Sequence, residues 1–382
     1  MHIAFISSDY IGATAFDRDT ALIHAIEGLG VKVTVVVPEV SPVTILARLR
    51  SRLLPRLGYN VSTQYDAPRL RNFARYIEKA LSGTEVDIIF SRSPRFSAWL
   101  NTPLPVVNWF DAPFVCIENL YSGFTRLDAM SRWAGHSASS RALRRSNLTL
   151  LMSFWAADKA IRRYHDTESR IGVVQAPAIL PAEPPRSEVL AARTVSRKAI
   201  KCLIVGNDWQ RKGADIALEG VRKVREMGVE IHLTTIGMDA PPQLSPEPWL
   251  RILPPLQKGL PDEYAKFRQE FLGSDIFILP SRADFTPHAI SEAYAFGLPT
   301  IASSVGAIPE MIEHGQTGFV TQRIDNADEY AQCLFRLATE PGLLSHMAIE
   351  SRNKYEAEFA LPVVARKMVA HLESVVYRSR KG

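Results

Sequence analysis

The sequence predicts an α/β protein of two Rossmann-like, doubly wound domains, and three observations carry that prediction. At 382 residues the chain exceeds the size at which one core usually keeps growing, so two domains are expected. The same strand-loop-helix-strand opening occurs twice, at "HIAFISSD" (2–9) and at "AIKCLIVGND" (199–208). Short apolar runs alternate with helical stretches through both halves, the pattern of parallel strands covered on both faces.

Taken in order, the first run leads into a helical pattern from about Asp19 to Leu29, a stop at Gly30 and the strand "VKVTVVVP". "TILARLRSRLLPRLGY" (44–59) interleaves leucine and isoleucine with Arg48, Arg50, Arg52 and Arg56. An interfacial segment on anionic lipid has that composition, and so does an ordinary helix with arginines at its rim. Further strands are expected at "VDIIF" (86–90), "PVVNWF" (105–110), "LTLLMS" (148–153) and "IGVVQ" (171–175). Residues 178–198 are rich in proline and charge and lack strand alternation, so they read as a linker. It would join a first domain over 1–177 to a second over 199–360. The second domain continues with a helix from about Ala214 to Met227, a stop at Gly228, and strands at "EIHLTTIG", "DIFILP" (275–280) and "PTIAS" (299–303). A last helix near 361–378 carries Leu361, Val364, Met368 and Leu372 at helical spacing, and the 361–382 tail is expected to pack back on the first domain.

Composition excludes little. With 45 basic and 40 acidic side chains the formal charge is +5, which permits acidic partners without calling for nucleic acid. Cys116, Cys202 and Cys333 lie far apart and show no metal-ligand spacing, so neither a disulfide framework nor a metal site is expected. The start of the chain lacks a basic segment followed by a long apolar core, and no apolar run is long enough to span a bilayer. A cytoplasmic protein is the expectation, with contact at the inner face of the membrane if the arginine-leucine stretch is interfacial.

Two stretches carry the chemistry. In "SRADFTPHAISEAYAFGLPTIASSVGAIPEMI" (281–312), Thr286 suits an N-cap and Pro287 the first position of a helix that Gly297 would stop. That helix start should sit at the carboxyl edge of the sheet, where ligands bind in open parallel sheets and free N–H groups favour an anion. Asp284 before the helix and Glu292 in its second turn can border one crevice. A carboxylate accepts two hydrogen bonds from a vicinal diol, so the pair suits a sugar nucleotide. The second stretch, "VGNDWQRKGADIAL" (205–218), places Gly206 at a tight turn and Arg211, Lys212 and Gly213 near a helix start, facing an anion with free N–H groups. Neither a P-loop nor a GxGxxG motif is present.

With those residues in view, the chain resembles retaining glycosyltransferases of family 4, which have the GT-B fold of two facing Rossmann-like domains. The resemblance rests on "VGNDWQRKGADIALEGV", the two acids Asp284 and Glu292 with seven residues between them, "SEAYAFGLPTIAS" and "VGAIPEMIEHGQTGFV" (305–320). It covers most of the second half, whereas the first half matches only in layout. The resemblance implies that Lys212 binds the donor diphosphate, with Arg211 replacing a companion arginine whose place is taken by Asn207. It implies Glu292 for the nucleotide ribose and Asp284, where the family usually has glutamate, for the transferred sugar. Phe285 and Thr286 would lie beside sugar and phosphate. Asp111 stands where many relatives carry an active-site histidine; a loop-capping aspartate is the plain alternative.

The activity so implied is transfer of a sugar from a nucleotide-sugar donor to an acceptor hydroxyl with retention, by a hexosyltransferase-type enzyme of bacterial cell-envelope polysaccharide or glycolipid synthesis. The acceptor would be a saccharide or a lipid-linked saccharide, and the donor is a substrate, with no cofactor or metal required. The leaving diphosphate would be stabilised electrostatically, and the domains would close through the linker to exclude water. A GT-B epimerase acting on a nucleotide sugar, and a non-catalytic subunit that kept the fold, are the alternatives.

Overall fold

The computed structural model describes residues 1–7, 16–39, 42–165, 167–194 and 198–381. Ser8 and Asp9 of the first motif, and 195–197 of the expected linker, lie outside the described residues. The chain divides into two compact units, Met1–Gln175 with Val364–Gly382, and Ala176–Val363.

The first unit holds strands β1 (His2–Ile6), β2 (Lys32–Val36), β3 (Ile88–Ser91), β4 (Val106–Phe110), β5 (Leu148–Leu151) and β6 (Ile171–Val173). They form a parallel sheet in the order β2-β1-β3-β4-β5-β6. Ala4 of β1 stands opposite Thr34 of β2 and Ile89 of β3. Ile3 to Ile6 are fully buried, as a central strand with both faces covered requires. One core packs Leu70, Phe73 and Ile77 of the helix Ala67–Leu81 with Phe96 and Phe114. The helix Arg18–Glu27 starts one residue earlier than its sequence pattern, because the Asp17 carboxylate caps it by accepting the amides of Asp19 and Thr20. The last helix, Leu361–Ser379, buries Val364, Met368 and Leu372.

The second unit holds β7 (Ile200–Val205), β8 (Ile231–Ile236), β9 (Leu250–Leu253), β10 (Ile276–Leu279), β11 (Thr300–Ser303) and β12 (Gly318–Thr321), in the order β12-β11-β10-β7-β8-β9. The order reverses between β7 and β10, the crevice position of doubly wound sheets. Sequence reasoning missed two of these strands. β9 is a sheet edge of four partly exposed residues, too short and too wet for an apolar run. β12 opens on Gly318 at φ 149°, where a Cβ would meet the Thr300 carbonyl oxygen at 1.9 Å. A glycine there lets β12 approach β11, yet in the sequence it reads as a breaker.

The expected linker needs a second correction. Its centre forms the helix Arg186–Thr194, whose Val189 is fully buried, and it belongs to the second unit. Arg186 of that helix donates to the side chains of Glu356 (2.5 Å) and Asn353 (2.7 Å). Proline and charge at its flanks hid a helix that tertiary contacts hold in place.

Candidate functional site

At the β7/β10 reversal two loops leave the carboxyl edge side by side. The first, 206–213, contains a short helix, Trp209–Lys212, capped by Asp208, whose carboxylate accepts the Arg211 amide. The amides of Lys212 and Gly213 go to the carbonyls of Asp208 and Gln210, so the open N–H groups expected at 211–213 are taken within the turn. Gly206 is needed for space: a Cβ would come within 2.6 Å of Lys212 Cγ, whose stem lies across the strand end. Gly213 has φ +72° and would bring a Cβ to 2.1 Å from the Pro280 carbonyl oxygen, so the loops touch backbone to backbone.

The second loop, 280–287, is fastened to the first. Arg282 N–H donates to the Arg211 carbonyl (2.8 Å), and Arg211 Nη1 donates to the Ala283 carbonyl (3.2 Å). Arg211 Nη2 also donates to Asn207 Oδ1 (2.7 Å). The Arg282 guanidinium grips Asp215 with two bonds of 2.8 and 2.7 Å, and it also binds Asp325. The centre of the arrangement is Lys212 Nζ, which donates to Asp284 Oδ2 at 2.5 Å. Both residues are buried. Ser281 Oγ donates to the same carboxylate oxygen (3.2 Å), and Phe285 N–H to the other (3.2 Å).

Gly306 completes the loop. It has φ +59°, and a Cβ there would lie 2.1 Å from the Asp284 carbonyl oxygen, while Ala307 N–H donates to the Phe285 carbonyl. The neighbouring helix is His288–Ala295, with Pro287 as its cap residue. Thr286 therefore does not cap it, as the sequence suggested, and Pro287 precedes the first turn. Released from capping, Thr286 Oγ1 is buried and has no hydrogen-bond partner among the described residues. Such a hydroxyl is normally satisfied, so Thr286 is an exception in this loop.

Glu292 is buried in that helix, and Lys258 Nζ donates to its Oε1. Lys258 Nζ donates as well to the Ile179 carbonyl (2.7 Å) and stands 5.6 Å from the Phe267 ring centre. Sequence reasoning missed Lys258 because its loop follows β9, itself unrecognised; "LQKGLPDE" carries no signal of its own. Of the expected residues, the fold thus brings Lys212 to Asp284 and Arg211 to Asn207, but gives Glu292 a different cation. Asp111 follows β4 in the first unit and is described only there.

Ser153, Ser291 and the three cysteines have ordinary roles. Ser153 caps the helix Phe154–Arg163, and Ser291 Oγ donates to the His288 carbonyl. Burial pushes the Cys116 thiol up to about 12 and the Cys333 thiol up to about 11, and it raises Cys202 further. All three are poor thiolates. Among the described residues, no group of three or more His, Cys, Asp or Glu is gathered as a metal site requires, and no helix is long and apolar enough to cross a membrane.

Comparison with known proteins agrees with this architecture. Two solved structures illustrate the fold: sucrose-phosphate synthase from Thermosynechococcus elongatus (TM-score 0.72, 15% identity, 99% of each chain) and Anabaena HepE in complex with UDP-glucose (TM-score 0.63, 15% identity, 98% of this chain and 100% of that one). The fold is GT-B, two doubly wound α/β domains. Residues 199–340 match the family model described as glycosyl transferases group 1. Curated relatives include the amylovoran biosynthesis glycosyltransferase AmsK of Erwinia amylovora, 29% identical over 48% of this chain and 47% of the relative. Another is the putative colanic acid biosynthesis glycosyltransferase WcaL of Escherichia coli K12, 27% identical over 46% and 45%. The chain spans about half the length of the curated relatives it matches. The family match falls within the second unit.

Proposed function

We propose that the protein is a retaining glycosyltransferase that moves a sugar from a nucleotide-sugar donor to an acceptor hydroxyl during synthesis of a bacterial surface polysaccharide. The observation that carries this reading is the buried Lys212–Asp284 pair at the sheet reversal, with Arg211 alongside. Without ligand, Asp284 neutralises Lys212. A diphosphate at the strand end would share or take over that ammonium, whose attraction grows as negative charge develops on the leaving group. Asp284 would then accept hydrogen bonds from sugar hydroxyls, and Glu292, steadied by Lys258, from the ribose diol. Thr286 Oγ1 supplies a further bond to the donor. The saccharide-synthesis setting is drawn from the relatives' amylovoran and colanic acid roles.

Calorimetric titration with nucleoside diphosphates, beside rates with UDP-, GDP- and ADP-sugars, tests the assignment. Lys212→Ala should lower both binding and turnover. Glu292→Gln should weaken the bare nucleotide by about 1–3 kcal/mol, the worth of a hydrogen bond to a charged group. Asp284→Asn removes the anion that competes for Lys212, so nucleotide binding should hold or tighten while use of the sugar nucleotide falls. If Asp284→Asn weakens the bare nucleotide as much as Glu292→Gln does, the assignment is wrong.

A further inference from the structure

The stretch 42–59 holds four arginines and no acidic residue. It forms the helix Ile45–Leu53, capped by Thr44, and a following 3-10 turn, Leu54–Leu57, that ends at Gly58 with φ 79°. At about 100° per residue, Ile45, Leu46, Leu49 and Leu53 fall within one arc of about 100°. An apolar arc of that width normally faces a core. Here it faces out. Ile45 is 74% exposed, Leu49 49%, Leu53 52% and Leu57 68%, whereas Ala47 is 1% exposed. A lone exposed leucine needs no explanation, but a continuous stripe does.

The inward face explains how the helix tolerates this orientation. Arg50 turns toward the protein, where its Nη2 donates to both Asp128 oxygens (2.7 and 2.9 Å) and to Ser131 Oγ (2.9 Å). Asp128 in turn caps the helix Ala129–Arg145, whose Met130 and Trp133 are also exposed. A partly buried ion pair thus clamps the segment with its leucines outward. Arg48 and Arg52 lie on the flank of the apolar arc away from that clamp, and Arg56 follows in the 3-10 turn. No carboxylate pairs with these three among the described residues; Arg48 Nε donates only to the Val43 carbonyl (3.0 Å).

We propose that this stripe docks on an anionic lipid surface. Its occupant must receive a row of aliphatic side chains and present negative charge along the row's edge, which the acyl boundary and headgroups of an anionic bilayer do together. A second copy of the chain fits less well, because an antiparallel two-fold pairing of the stripe would set the arginines of the two copies beside one another and a parallel one would set them against a flank with no acidic residue.

Sedimentation with phosphatidylcholine vesicles, with and without phosphatidylglycerol, tests this at low and high salt. The protein should bind the anionic vesicles, weaken as salt rises and ignore the neutral ones. Replacing Arg48, Arg52 and Arg56 together by Gln should cost about fivefold per arginine, or about 100-fold in all. The pair Leu49→Ser and Leu53→Ser should abolish binding even at low salt. All five residues are exposed, so urea midpoints and nucleotide titrations should stay unchanged in both variants. Those titrations separate this surface from the donor site. Absence of binding to anionic vesicles at low salt overturns the proposal, as does binding that neither variant reduces. Light scattering that shows a dimer dissolved by the serine pair, with vesicles ignored, also overturns it and assigns the stripe to self-association.

Discussion

Lys258 should hold Glu292 in place, and removing the lysine alone should cost at least as much as removing both partners. Glu292 is 5% exposed and Lys258 Nζ donates to it directly, with Ile179 O as a second acceptor at 2.7 Å. At an effective dielectric of about 20 and a separation of about 3 Å, two unit charges attract by roughly 5 kcal/mol, most of which offsets their desolvation. Lys258→Met leaves a buried carboxylate without its cation, a change that costs about 3–5 kcal/mol. Because Lys258 is itself partly solvated, the lower end is expected. Glu292→Gln keeps the side chain's shape and should cost about 1–2 kcal/mol. The double variant removes both charges and should cost no more than Lys258→Met alone, giving a coupling of at least about 1 kcal/mol. Equilibrium urea unfolding reads the four corners of the cycle, and hydrogen exchange in the helix His288–Ala295 localises the loss. Additive single costs, or a Lys258→Met cost below about 0.5 kcal/mol, would refute the reasoning.

Two further expectations follow from local geometry. Gly306→Ala adds left-handed strain of about 1–2 kcal/mol and drives a Cβ to 2.1 Å from the Asp284 carbonyl, so the loop must move and carry Asp284 off Lys212. Gly315→Ala has the same strain with nothing within 4 Å, so Gly306→Ala should cost more stability and also lower turnover; equal effects in the two variants would remove the packing argument. In the first unit, His136 is held below its ordinary value by burial, aided by Arg163 and Arg132, although Glu118 bonds its Nε2 at 3.0 Å and pulls the other way. Its Nδ1 faces the Tyr164 hydroxyl and its ring meets Phe114 edge-on. Between the folded value and about 6.5 the unfolded chain binds more protons, so stability should rise with pH through that window and level off above it. Urea midpoints taken from about pH 5 to about pH 8 should show a shallower slope in His136→Gln than in the parent, and identical slopes would sink the claim.

Much of this protein follows from its sequence alone, because the signals are local. Apolar runs such as "HIAFI" and "CLIV" bury on both faces wherever a parallel sheet places them, and Gly228 and Gly297 stop helices through their own backbone conformation. The strand-loop-helix order after "CLIV" and again after "DIFILP" also puts Lys212 and Asp284 at one sheet edge. What they do there was not legible. Lys212 and Asp284 are 72 positions apart, and only the side-by-side placement of β7 and β10 turns an expected phosphate ligand and an expected sugar ligand into one ion pair. Lys258 was invisible for the same reason: its role depends on β9, an edge strand whose four residues earn their place by pairing with β8. The outward leucines of the helix Ile45–Leu53 make the point in reverse. Sequence periodicity finds the apolar arc, but which way it faces was decided by Arg50 reaching Asp128, a contact between residues 78 positions apart. Local pattern determines which segments form strands and helices, since backbone geometry and side-chain period act within a few residues; the partners of buried charges are chosen by tertiary packing, since a charge taken out of water must be met by whatever the fold brings near it.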